Sequence, residues 1–142
     1  MLLNDHDHSV ELRPVRYQFP ARGDRYDDNW LVVEGTVTTP EGSWTFTDAC
    51  LLTDEAREIS DWLRSRAADL EFIEPVLAFS RESLGSHQSE AIRVHLSHEA
   101  APPWLEGDDR LDAHVIEIRA AEAAIQHAAD TWDRLLAPFP PR

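Results

Sequence analysis

Apolar and polar positions alternate with a period of two along the first third of the chain. Val10 and Leu12 share one parity; Val15, Tyr17 and Phe19 share the other, with the change at Pro14. The spacing predicts a strand over Ser9–Phe19 that lies at an edge or carries a bulge, because proline donates no ladder bond. Pro20–Asn29 holds a proline, a glycine and three aspartates, and predicts a loop. Trp30–Thr38 resumes the alternation, with Leu31, Val33 and Val37 on one side and Trp30, Val32, Glu34 and Thr36 on the other. Thr39-Pro40-Glu41-Gly42 is a turn, proline setting its first corner and glycine free to take positive φ. Ser43–Cys50 returns with Trp44, Phe46 and Asp48 on one face, which completes a hairpin.

The period then becomes helical. Thr53 is placed as a cap, Asp54 and Glu55 suit the positive helix end, and Ala56, Ile59, Leu63, Ala67 and Leu70 recur with Trp62 beside them. Leu70–Arg81 reads as extended and Ala91–Glu99 as another strand; Gly85–Ser89 between them supports a second hairpin. Ala101-Pro102-Pro103-Trp104 interrupts regular structure, Glu106–Arg110 is a polar loop, and His114–Arg119 is a short strand. A second helix follows over Ala121–Leu136, with Ala121, Ile125, Ala128, Trp132 and Leu135 or Leu136 inward. The pattern predicts one α+β domain over residues 1–142. Its sheet is mainly antiparallel, about six strands in consecutive hairpins, open or curled into a half-barrel, with two helices on one face.

Charge narrows the partners. The chain of 142 residues carries 27 acids against 13 bases, a net charge of −14, and every base is arginine. Such a surface repels nucleic acid and anionic membranes and attracts a basic partner. No basic, apolar leader opens the sequence and no apolar run approaches membrane-spanning length. The single cysteine, Cys50, excludes an intramolecular disulfide and a cysteine-based zinc site. A reducing, cytoplasmic setting is the expectation.

Few residues carry recognisable chemistry. His95 and His98 are three apart on a strand and so point to opposite faces, which argues against a metal pair. There is no glycine-rich phosphate loop and no G-x-S-x-G elbow. No catalytic residue, metal or cofactor is expected. Glu74 shares a strand face with Phe72, Val76 and Ala78, so it needs an arginine partner, Arg93 or Arg13, or serves as a recognition carboxylate. With Arg93 and His95 it forms a candidate small-ligand site on the open sheet face. Asp27, Asp28 and Asn29 run straight into Trp30, where short polar side chains can bond local backbone. Trp104, after two prolines, is either a core plug or an exposed aromatic anchor.

Several short segments run in order along the chain: Tyr17-Gln18-Phe19-Pro20, Tyr26-Asp27-Asp28-Asn29-Trp30-Leu31, Cys50-Leu51-Leu52-Thr53, Phe72-Ile73-Glu74-Pro75-Val76-Leu77-Ala78-Phe79 and Pro102-Pro103-Trp104. The set resembles the WapI-like bacterial immunity proteins over most of the chain. One departure is Val76, which stands where the family pattern has asparagine. The resemblance implies a non-enzymatic protein that binds and neutralises a cognate toxin. That family is linked to a wall-associated, contact-dependent toxin ending in a tRNA nuclease. A nuclease needs a basic groove for phosphate, and an acidic inhibitor fits such a groove. The expected toxin contacts are the loop acids Asp24, Asp27, Asp28, Glu106, Asp108 and Asp109, with Trp104 as apolar anchor. A pocket lined by Glu74, Arg93 and His95 would instead favour a small ligand.

Overall fold

The computed structural model describes residues 1–83 and 89–142. Among these, eight antiparallel strands form two four-stranded sheets, and neither sheet closes into a barrel. The first sheet holds β1 (Leu2–Asn4), β2 (Ser9–Tyr17), β3 (Trp30–Thr39) and β4 (Gly42–Leu52), side by side in that order. Alternation sets its inner face. Val10, Val37 and Trp44 lie across from one another, and Leu12, Gly35 and Phe46 form the next rung. Glu11, Thr36 and Thr45 occupy the solvent side between them. Gly35 is needed for closeness: a β-carbon there would lie 2.1 Å from Cε1 of Phe46. Pro14 meets both expectations, since β1 pairs only with Ser9–Glu11 and the β2–β3 register shifts between Pro14 and Arg16.

The second sheet holds β5 (Asp69–Glu71), β6 (Leu77–Ser83), β7 (Ser89–Leu96) and β8 (His114–Ala121). Phe79, Val94 and Ile116 form one buried rung. The Gly85–Gln88 part of the expected linker lies outside the described residues; the strands that flank it pair antiparallel. The strands divide into two sheets. There are eight rather than the expected six or so because β1 and β5 have three residues each, too few to show a period.

The helices α1 (Thr53–Arg64) and α2 (Glu122–Leu136) pack on each other, and the Trp132 indole donates to the Ala56 carbonyl at 2.6 Å. Leu12, Phe46, Ile59, Phe79 and Trp132 belong to one buried cluster that spans both sheets and both helices. The first helix is shorter than its apolar spacing predicts. Ser65 is extended, Ala67 is exposed and Leu70 belongs to β5. The cause is a cap from another element: Arg81 of β6 donates to the Trp62 carbonyl at 2.6 Å and to the Ser65 carbonyl at 2.8 Å. Its guanidinium also lies 4.1 Å over the Trp62 ring and 2.8 Å from Glu90. Carbonyls left open at a helix end are thereby satisfied. At the other end Leu52, not Thr53, is the N-cap; the Glu55 carboxylate accepts the Leu52 N–H at 2.8 Å. Ala121 likewise is exposed, one residue before α2.

Candidate functional site

The second sheet turns its other parity outward. Across that face Ala78, His95 and Val115 form one row, and Ser80, Arg93 and Glu117 the next. The short strand β5 adds Glu71 beside Ala78 and Asp69 beside Ser80. At one end of this face is a cleft of about 400 Å³, with Ala78, Ser80 and His95 in its lining, closed in by Phe72, Pro75 and Leu111. His95 Nε2 lies 2.8 Å from Ser80 Oγ. Burial holds His95 below its ordinary value and the Arg93 cation adds to this, while Asp69 and Glu71 pull the other way. The cleft thus offers a polar, neutral floor between apolar walls, with two carboxylates at its rim.

Arg93 does not reach into that cleft. Its guanidinium donates to Glu117 at 3.1 Å and to Glu82 at 2.5 Å. Glu74 does not reach it either. The sequence pattern predicts a strand through Glu74, but the chain bends over Ile73–Val76 and leaves the carboxylate exposed, without a cation partner among the described residues. Two contacts hold the bend: Ser97 Oγ donates to the Pro75 carbonyl at 2.5 Å, and Ser97 N–H to the Val76 carbonyl at 3.1 Å. Pro75 itself has no N–H with which to continue a ladder. Of the three residues expected to form a ligand site, only His95 lines the cleft.

The Asp24–Asn29 loop is built by its own acids. Asp24 Oδ1 accepts the N–H groups of Tyr26 at 2.8 Å and Asp27 at 2.9 Å. Asp28 is 3% exposed, and its two oxygens accept the N–H groups of Arg22 at 2.8 Å and Gly23 at 2.7 Å. These backbone bonds draw its carboxyl below the usual range, with burial opposing them. Asn29 is buried and uses its whole amide. Its oxygen accepts from Thr53 Oγ1 and from Arg142 N–H, each at 2.9 Å, and its nitrogen donates to the carbonyls of Arg25 and Arg142. Asp24 and Asp27 stay exposed; Asp28, expected at the surface, is part of the framework of the loop.

The second acidic group lies elsewhere. Trp104 is 44% exposed and meets the Trp44 ring edge-on, with centroids 5.2 Å apart. It is therefore half plug and half surface. Arg110 ties down this segment by donating to the carbonyls of His98 at 2.7 Å and Pro102 at 3.1 Å. Glu106, Asp108 and Asp109 remain exposed in the same segment. Asp27 opens the short turn that leads into β3, whereas Trp104 packs on Gly42 just beyond the other end of that strand. A strand of this length puts roughly 30 Å between the two groups. The six loop acids thus do not form a single patch.

Two carboxylates at the cleft, Asp69 and Glu71, escape the sequence reading. The helix expected to run to Leu70 covers Asp69, and Glu71 falls in the segment expected to be extended without being singled out; the cue for a strand here is the polar–apolar–polar alternation of Asp69, Leu70 and Glu71. Cys50 is buried, and burial, reinforced by Asp48, pushes its thiol up to about 12, so it is no nucleophile. Among the described residues no three of His, Cys, Asp and Glu are grouped to hold a metal, and no helix is long and apolar enough to cross a membrane.

The fold is α+β, with an open polar face on the second sheet. The model of the Immunity protein WapI-like family matches residues 1–140, and the chain belongs to that family. Comparisons with curated proteins and with solved structures found no match.

Proposed function

We propose that this immunity protein acts in the cytoplasm, binds a toxin with a basic nuclease domain, and neutralises it through acidic surface without chemistry of its own. The observation that carries the reading is the family match over residues 1–140. The net charge of −14 supports the electrostatic part, since a nuclease groove built for phosphate is basic. Of the residues expected at the contact, Asp24, Asp27, Trp104, Glu106, Asp108 and Asp109 are exposed. The group around Trp104 combines an aromatic anchor with an acidic rim, the pairing typical of a protein interface.

The test is co-expression with a candidate cognate toxin domain. Growth restored and tRNA left intact, with a stable complex on size exclusion, is the expected outcome. A soluble, folded chain that neither binds the toxin domain nor protects the cell would overturn the reading.

A further inference from the structure

The outer face of the second sheet is electrically uneven. On one half, Arg93 bridges Glu82 and Glu117, and Arg119 lies 3.7 Å from Glu117. The opposite charges there are matched. On the other half, Asp69 and Glu71 project beside the cleft with no cation within ion-pair distance among the described residues. They are exposed, two residues apart on the same parity of β5, so both carboxylates face the same side. The cleft between them and Leu111 is about 400 Å³, at the small end of the ~300–1,000 Å³ typical of ligand pockets. Its aromatic wall is Phe72, itself braced edge-on against buried Phe79 at 6.2 Å.

We infer that this cleft receives an arginine side chain of the toxin, a conclusion that rests on the immunity reading and adds a place on the surface to it. A guanidinium is planar, stacks on aromatic rings and pairs with carboxylates in a fixed geometry. The cleft supplies each complement: the Phe72 wall, the Asp69 and Glu71 rim, and a His95–Ser80 floor that carries no competing positive charge when the imidazole is neutral. Charge complementarity therefore selects a cation. The surroundings select a protein as its carrier. Ile73, Leu111 and Val115 are 66%, 56% and 44% exposed in the bend, the wall and the row beside His95. A small cation would leave those side chains in water, whereas a protein surface seated over the cleft would cover them. Leu111 and Ala113 of the cleft also continue directly from Asp108 and Asp109, so the socket and the acidic segment belong to one stretch of surface.

The test uses the whole protein and two peptides, acetyl-Leu-Arg-Leu-amide and its uncharged citrulline isostere, followed by amide NMR shifts. Expected is saturable perturbation of residues 69–72, 78–80, 95 and 111–113 by the arginine peptide, with binding at least fivefold weaker for citrulline. Asp69→Asn with Glu71→Gln, both exposed, is expected to weaken the arginine peptide at least fivefold while leaving the melting temperature unchanged. Equal binding of the two peptides, shifts centred elsewhere, or indifference to the double substitution would overturn the assignment. Failure is separable from failure of the immunity reading. Toxin protection that survives with the double variant binding as tightly as wild type removes the socket only; loss of protection by the unaltered chain removes the reading on which it rests.

Discussion

The Trp104 indole lies directly against Gly42, at the tip of the β3–β4 hairpin: a β-carbon at Gly42 would stand 3.0 Å from Cη2 of the ring. Gly42 itself has φ +155°, a value that L side chains rarely adopt. The hairpin tip therefore fixes the position of a half-exposed aromatic group. Trp104→Ala is expected to cost about 1–2 kcal/mol of stability, since much of the ring is already in water. It is expected to cost at least about 2 kcal/mol of toxin affinity if the ring is an interface anchor. Calorimetric unfolding and titration of the toxin domain separate the two. Unchanged affinity would reduce Trp104 to a packing residue.

Gly35 and Phe46 make a sharper test of the core. A methyl group at position 35 would overlap the Phe46 ring, which is 5% exposed and has little room to move. Gly35→Ala is expected to destabilise by about 1–3 kcal/mol. Adding Phe46→Leu is expected to recover part of that loss, so the double variant is more stable than the sum of the two single changes. Additive losses in urea unfolding would show that the rung is not the source of the strain.

Asn29 joins four backbone or side-chain partners from the acidic loop, α1 and residue 142. Removing its amide leaves buried donors and acceptors unpaired. Asn29→Ala is expected to cost about 2–4 kcal/mol, and Thr53→Val less, because only one of the four bonds is lost. Equal losses for the two variants, measured by chemical denaturation, would mean that the shared Thr53–Asn29 bond carries the effect.

Asp48 gives a pH dependence of stability. It continues the inner face of Trp44 and Phe46 and is half-buried; burial raises its carboxyl above the usual value, and Glu99 and Glu74 add to this. A carboxyl raised in the folded state stabilises the fold at low pH, and that contribution is lost as pH rises from the unfolded value through the folded one. Asp48→Asn is therefore expected to be more stable than wild type at pH 7, with the advantage disappearing below about pH 4. A variant less stable at pH 7 would show that the carboxylate has a favourable partner there.

Local sequence showed much of this fold but little of its surface. The β3–β4 hairpin was legible because alternation and the Pro40–Gly42 turn agree. The bulge at Pro14 was legible from its change of parity. The end of α1 was not, because the residue that caps it, Arg81, acts from β6 and satisfies carbonyls 16 and 19 residues away in sequence. Glu74 was misplaced for a related reason. Its neighbours alternate as a strand would, yet Ser97 and Pro75 bend the chain through a contact that no local pattern records. The family resemblance was carried by the short segments themselves, and the match over residues 1–140 bears it out. In the loop motif around Asn29, Asp28 and Asn29 build the framework of the loop, and Asp24 and Asp27 are what it presents to solvent.

The most direct measurement of the central claim is the association rate with the toxin domain at low and physiological salt. If acidic surface recruits a basic nuclease, the rate is expected to fall about tenfold or more between roughly 20 and 200 mM salt, with dissociation changing far less. Neutralising Glu106, Asp108 and Asp109 is then expected to slow association more than neutralising Asp24 and Asp27, because the first group follows Trp104 in the chain and leads into the cleft. Tight binding whose association rate ignores both salt and all five substitutions would contradict an electrostatic mechanism.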